Sequence, residues 1–255
     1  MKLNDLIQKY ARTIKGTFKY QLTVDANLRQ ASKLLGNPEV NSINTSMIDE
    51  YTAILNRTLK PASVNRKLTN LHSLLKYAHE RDMLDRMPKF TWEKEDNERV
   101  RWLSDSEEKQ LLELLPQPIS AFCEILIHTG MRRGELLSIT QDNVDGDYIR
   151  LWKTKTGKAR SVPMSKRAKE LVSQYVPFNL SEAEINAAWN KAKQQMGLEH
   201  DNDFVLHTLR HTTATRMLKR TGNIAIVQRM LGHAKITTTM RYAHIADDQL
   251  LAAVQ

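Results

Sequence analysis

The sequence predicts a mainly α protein with a small antiparallel β-sheet, divided into two domains. Apolar residues recur at helical spacing through the first ninety positions. That spacing breaks at Met87-Pro88, and two strand-like runs flank a glycine turn in the second half. With 255 residues the chain has room for one large core or two smaller ones.

The first domain is expected over 1–88. A first helix is predicted over 3–14, and a second over 24–35, ending near Gly36 and Pro38. A third starts from a Thr45 cap and carries Ile48, Tyr51 and Leu55. In the fourth, Ser63 is the expected cap, and Val64, Leu68, Leu71, Leu75 and Ala78 form the buried stripe. The run WEKEDNERVR alternates in charge without apolar periodicity, so 89–100 is expected to be a linker. The second domain, 101–255, opens at LSDSEEKQLLELL, where Ser104 and Glu107 have the spacing of a capping box. ISAFCEILIHTG reads as a buried helix closed by Gly130, and MRRGELLSI begins the next. DYIRLW and ARSVPM read as strands joined through TKTGK, with Gly157 in the turn. Helices follow over 181–196, 208–219 and 224–231, with a short one over 238–243 and an amphipathic tail, IADDQLLAAVQ.

Thirty-eight Lys and Arg against 29 Asp and Glu leave a net charge of +9, which points to a polyanionic partner. One cysteine, Cys123, excludes an internal disulfide, suits a reducing cytoplasm and reads as core packing. No apolar run reaches the ~18 residues of a membrane span, and no signal-peptide core opens the chain, so no membrane partner is expected.

Four segments hold side chains suited to phosphate. In HTGMRRGEL, Arg132 follows a helix-ending glycine, and Glu135 can hold an arginine through a bidentate pair. LWKTKTGKARSVPM puts Lys153, Lys155, Lys158 and Arg160 at a hairpin tip, where a lysine can protonate a leaving oxygen. LHTLRHTTATRM sets His207 and Arg210 three apart on one helical face, with His211 four from His207. That His pair also has metal-ligand spacing, but a zinc-protease signature needs Glu where Thr208 stands. LGHAKITTTMRYAH supplies His233 and Tyr242. A tyrosine attacking phosphate needs strong electrostatic help, and two arginines, a lysine and two histidines in one domain offer it. No phosphate-cradling GxxxxGK[ST] loop and no clustered acidic metal site occur, so neither cofactor nor metal is expected.

HTGMRRGEL, KTGKARSVP, HTLRH and LGHAKITTTMRYAH, in this order and spacing, resemble the motifs of the tyrosine recombinases, the phage integrase family. The resemblance covers most of 129–242, and by architecture the helical N-terminal region is similar to the family's core-site-binding domain. It implies a helical core-binding domain followed by a mixed α/β catalytic domain. It further implies a site-specific DNA recombinase working through a 3′-phosphotyrosine. Arg132 and Arg210 match the arginines that fork the scissile phosphate. Lys155 matches the hairpin lysine that protonates the departing 5′ oxygen, with Lys153 and Lys158 near enough to compete. His207 matches the histidine that bonds the phosphate and assists proton transfer at the tyrosine, His233 a phosphate-supporting position, and Tyr242 the nucleophile. Glu135 matches a structural carboxylate. The implied partners are double-stranded DNA core sites and three further copies in a tetramer on paired sites, with the tail reaching a neighbour and accessory DNA-bending proteins assisting. The helices are expected to start within the first few residues, so the arm-binding domain of many phage integrases is not expected. Two alternatives stand beside this: a non-catalytic helix–turn–helix regulator, because GNIAIVQRMLGHAKITTTMRYA has that pattern, and a type IB topoisomerase.

Overall fold

The computed structural model describes residues 1–95, 100–152 and 159–246. The chain divides into two compact units, Met1–Asp96 and Asn97–Gln255.

The first unit is helical: α1 (Leu3–Ala11), α2 (Phe18–Leu34), α3 (Thr45–Asn56) and α4 (Pro61–His79). Its core gathers Leu6, Ile7, Leu28, Tyr51, Leu68 and Leu75, among others, from all four helices. α1 stops three residues before the predicted end. The Thr13 hydroxyl donates to the Tyr10 carbonyl at 2.7 Å, and the Gln21 amide donates to the Ile14 carbonyl at 2.9 Å. α2 begins six residues earlier than the apolar spacing predicts, because its first turns expose Phe18, Tyr20 and Leu22 while the Thr17 hydroxyl caps Tyr20 N–H. Asn44, not Thr45, caps α3. α4 starts at Pro61 instead of after Ser63, since proline at the first helical position loses no hydrogen bond. The chain after α4 folds back on these helices. Asn65 receives Glu93 N–H at 2.8 Å and donates to the Glu93 carbonyl at 2.9 Å, and Lys89 N–H donates to the Thr45 hydroxyl at 3.1 Å. Residues 89–95, the first part of the expected linker, are thus tied to the first unit, and 96–99 lie outside the described residues.

In the second unit α5 (Asp105–Leu114), α6 (Ile119–Thr129) and α7 (Arg133–Ser138) precede a three-stranded antiparallel sheet. The predicted strands are β2 (Tyr148–Leu151) and β3 (Arg160–Pro163), and Ile149 faces Val162 in their register. β1 (Val144–Asp145) adds an unpredicted edge, too short to show alternation, which turns into β2 at Gly146. Lys153, Lys155, Lys158 and the Gly157 turn lie outside the described residues. α8 (Lys166–Tyr175), α9 (Glu182–Gln195), α10 (Thr208–Thr221) and α11 (Ile224–Leu231) complete the unit. The expected short helix near 238–243 is instead two 3₁₀ turns, Ile236–Thr238 and Met240–Ala246. α6 is the central helix. It packs against α8 and α10, and Phe122, Cys123, Ile125 and Leu126 on it are buried. The Ser104–Glu107 capping box forms as expected.

Candidate active site

The site forms where α6 and α11 end against α10. Gly130 and Gly232 close α6 and α11 with left-handed φ values of 62° and 64°. A Cβ on Gly130 would stand 2.9 Å from a Leu231 methyl and 3.2 Å from a Thr213 methyl, so only glycine lets these helix ends meet. Between them lies Arg210, 2% exposed, whose guanidinium donates to the Gly130 carbonyl and, at 2.5 Å, to the Leu231 carbonyl. The C-terminal carbonyls of two helices thereby hold one cation. Burial, then Arg132 and Arg160, pull the Arg210 pKa down to about 9, which still leaves it charged at neutral pH.

Arg132 is the residue before α7, and Glu135 in the first turn of that helix fixes it twice. The carboxylate accepts Arg132 N–H and Nη1, each at 2.8 Å. It also accepts both terminal nitrogens of Arg160 at 2.8 Å. Glu135 is 8% exposed, and burial alone would raise its pKa. The bonds from Arg160 and Arg132 overcome that and hold it at about 2. Arg160 therefore does not stand at the hairpin tip, as the sequence reading had it, but faces inward from β3. Strand alternation could have shown this, since Arg160 shares a face with the buried Val162. Its side chain crosses Gly232, where an added Cβ would lie 2.6 Å from Arg160 Cδ.

Arg132, His207 and Arg210 line one cavity of about 570 Å³, together with Arg133 and Asn186. His207 stands just before α10, without a side-chain capping bond, and is exposed. His233 follows Gly232 and is fixed by its Nδ1 bond to the Thr239 hydroxyl at 2.9 Å. Burial first, then the charges of Arg210, Arg132 and Arg241, depress the pKa of both His207 and His233 to about 4, although water on the open face of His207 moderates its shift. Tyr242, in the last 3₁₀ turn, is 1% exposed and packs with Val100, Ala214, Leu218, Val227 and Leu231. Burial raises its pKa against the opposing effect of Arg210 and Arg241, so it is a neutral phenol at pH 7. Its hydroxyl meets Nδ1 of His211 at 2.7 Å. His211 in turn stands edge-on to His207, with ring centroids 4.8 Å apart.

The structure thus brings Arg132, His207 and Arg210 to one cavity, and places His233 and Tyr242 within the electrostatic reach of Arg210. Lys155 lies outside the described residues. Arg160 and His211 were missed as site residues. The signal for His211 was its helical spacing from His207, weighed only as metal-ligand spacing.

Fixed positive charge around a cavity, with neutral imidazoles and a phenol behind it, suits phosphodiester chemistry. Residues 101–249 match the phage integrase family, and the chain belongs to this family, that of the tyrosine recombinases. It is 28% identical to the integrase of Escherichia phage P2 over 228 residues, which cover 88% of this chain and 67% of that protein. Over 278 residues it is 26% identical to the tyrosine recombinase XerD of Lacticaseibacillus casei, covering 97% of this chain and 93% of that one. The fold is similar to that of the Tn1549 transposon integrase in complex with circular intermediate DNA, with a TM-score of 0.81 at 19% identity, over 100% of this chain and 99% of that one. A lambda integrase tetramer bound to a Holliday junction gives a TM-score of 0.73 at 16% identity, over 93% of this chain and 79% of that one.

Proposed function

We propose that this chain cuts DNA at a specific duplex site and rejoins it to a new partner, with Tyr242 holding the 3′ phosphate in between. Tyr242 Oη forms a bond to phosphorus, the bond to the 5′ oxygen breaks, and that oxygen leaves with a proton from Lys155. One phosphate ester replaces another, so a 5′ hydroxyl of the partner strand reverses the step without nucleotide hydrolysis. Arg132 and Arg210 stabilise the phosphoryl oxygens with permanent charge, the work of metal ions in many other phosphoryl transfers. His207 and His233 add hydrogen bonds to the phosphate. One observation carries this reading: Arg132, His207 and Arg210 line one cavity, and Tyr242 is joined through His211 to the helix that bears Arg210. A regulator that only binds DNA has no use for that arrangement, and membership of the recombinase family does not favour a topoisomerase.

In the same reading, residues 1–88 grip the core site, 101–255 carry the chemistry, and four copies assemble on paired sites. The tail docks on a neighbouring copy, and DNA-bending proteins assist in the bacterial cytoplasm. Among the described residues no helix is long and apolar enough to cross a membrane.

The test is covalent trapping on a nicked suicide substrate carrying the attachment site, without divalent metal or ATP. A denaturation-resistant protein–DNA adduct is expected from the wild type and none from Tyr242→Phe. A wild type that binds the site but forms no adduct overturns the proposal.

A further inference from the structure

We propose that His211 is a catalytic residue: it accepts the hydrogen bond of the Tyr242 hydroxyl, aims the nucleophile, and takes its proton as the bond to phosphorus forms. The inference rests on Tyr242 being the nucleophile, and adds to that reading the destination of its proton.

The geometry favours His211 over His207 for this task. His211 Nδ1 lies 2.7 Å from Tyr242 Oη, an ordinary length for a strong hydrogen bond. His207 contacts the ring of His211 edge-on and opens on the cavity, and it is a step further from the phenol. Tyr242 is 1% exposed and belongs to the cluster of Val100, Ala214, Leu218, Val227 and Leu231, and among the described residues His211 is the hydrogen-bond partner of its hydroxyl. A buried hydroxyl with its hydrogen aimed at hydrocarbon is costly, so the O–H donates and Nδ1 accepts. The imidazole proton then resides on Nε2. Both partners are held by packing. His211 follows the buried Arg210 on α10, and the Tyr242 ring lies 5.7 Å from that of His211, centroid to centroid.

With its hydrogen committed to Nδ1, the phenol keeps a lone pair off that axis for phosphorus. As the Oη–P bond forms, the oxygen loses its hold on the proton, which passes to Nδ1. The imidazole becomes a cation beside the negative phosphoryl group. In the rejoining step the same proton returns to Tyr242 as its oxygen leaves. Burial first, and then His207, Arg241, Arg210 and His233 around it, oppose a proton on His211 in the free protein. A bound phosphate offsets them, so transfer is coupled to the presence of DNA.

The experiment compares single-turnover adduct formation on the suicide substrate for wild type, Tyr242→Phe, His211→Phe and His211→Asn, with DNA affinity measured in parallel. A general base contributes on the order of 10²–10⁴ in rate. His211→Phe, which preserves ring packing, is therefore expected to slow adduct formation by about 100-fold or more while affinity changes by less than about threefold. His211→Asn accepts the hydrogen bond but takes no proton, and is expected to remain at least about tenfold slow. A fluorotyrosine at 242, more acidic than tyrosine, should recover much of the rate in the His211→Phe background and little in the wild type. A residue that only supports the fold gives no such rescue. His211→Phe reacting at the wild-type rate, or no rescue in either variant, overturns the proposal. If the wild type itself forms no adduct, the recombinase reading fails first. Should His211→Phe not fold, the nitrogen resonances of His211 decide: Tyr242→Phe must shift Nδ1 and leave Nε2 in place, and an unmoved Nδ1 is fatal.

Discussion

Glu135 shows how one side chain carries both stability and function. It accepts bonds from Arg132 on α7 and Arg160 on β3, so neutralising it releases two cations, one of them 89% buried at its side chain by the complement of its 11% exposure. Its folded pKa of about 2 lies below the ordinary carboxylate value of 4.5, so its stabilisation is complete above about pH 4.5 and is lost as pH falls toward 2. The gap corresponds to roughly 3 kcal/mol. Glu135→Gln is expected to lower stability by that order at pH 7, with the difference closing between pH 4.5 and 2 in urea titrations. Equal midpoints at pH 7 would sink the idea. The histidines act in a higher window. His211 and His233 stay neutral in the folded protein until about pH 3 and 4, whereas an unfolded chain takes up those protons near 6.5. The folded state binds fewer protons below 6.5, so wild-type stability should already fall between that pH and about 4.5, above the window in which Glu135 contributes. A flat profile between pH 7 and 5 would contradict it.

At the scale of elements, the site depends on helix ends that approach closely enough to share Arg210. Gly232 is the tightest point, because its φ of 64° and the Arg160 side chain both exclude a Cβ. Gly232→Ala is expected to cost on the order of 1–3 kcal/mol, and by displacing Arg160 from Glu135 it should slow adduct formation as well. Gly146 is the control. Its φ is 57°, but nothing lies within 4 Å of an added Cβ, so Gly146→Ala should cost about 1 kcal/mol of backbone strain and leave the reaction alone. Thermal denaturation and trapping rates, measured on both variants, separate strain from clash; identical behaviour would mean that the Arg160 contact is unimportant. The same elements show what the sequence made legible. α4, α6, α11, the β2–β3 pair and the Ser104–Glu107 box could be read because each buries a periodic stripe or places its own cap. The start of α2 could not, because its first apolar side chains face water. Arg160 was legible by alternation, but its position next to three lysines drew it to the tip. The Tyr242–His211 bond was not legible at all, since it joins positions 31 apart through a turn whose path only packing determines.

At the scale of the whole molecule, the positive charge is not the property of one unit. The first unit holds 16 Lys and Arg against 11 Asp and Glu, and the second 22 against 18. Each unit also has a hydrophobic core of its own, so the second should fold when made as residues 97–255. Duplex binding that neutralises phosphates releases counterions, and the logarithm of affinity falls with the logarithm of salt in proportion to the phosphates contacted. If both units touch the backbone, the isolated second unit must bind more weakly and with a shallower salt dependence than the full chain. Its adduct rate at saturating DNA should change much less, because Arg132, His207, Arg210, His211, His233 and Tyr242 all lie within it. Equal salt slopes for the two proteins would remove the first unit from the DNA contact. A folded 97–255 that binds but never forms the adduct would mean that the first unit helps to assemble the site, and not only to hold the duplex near it.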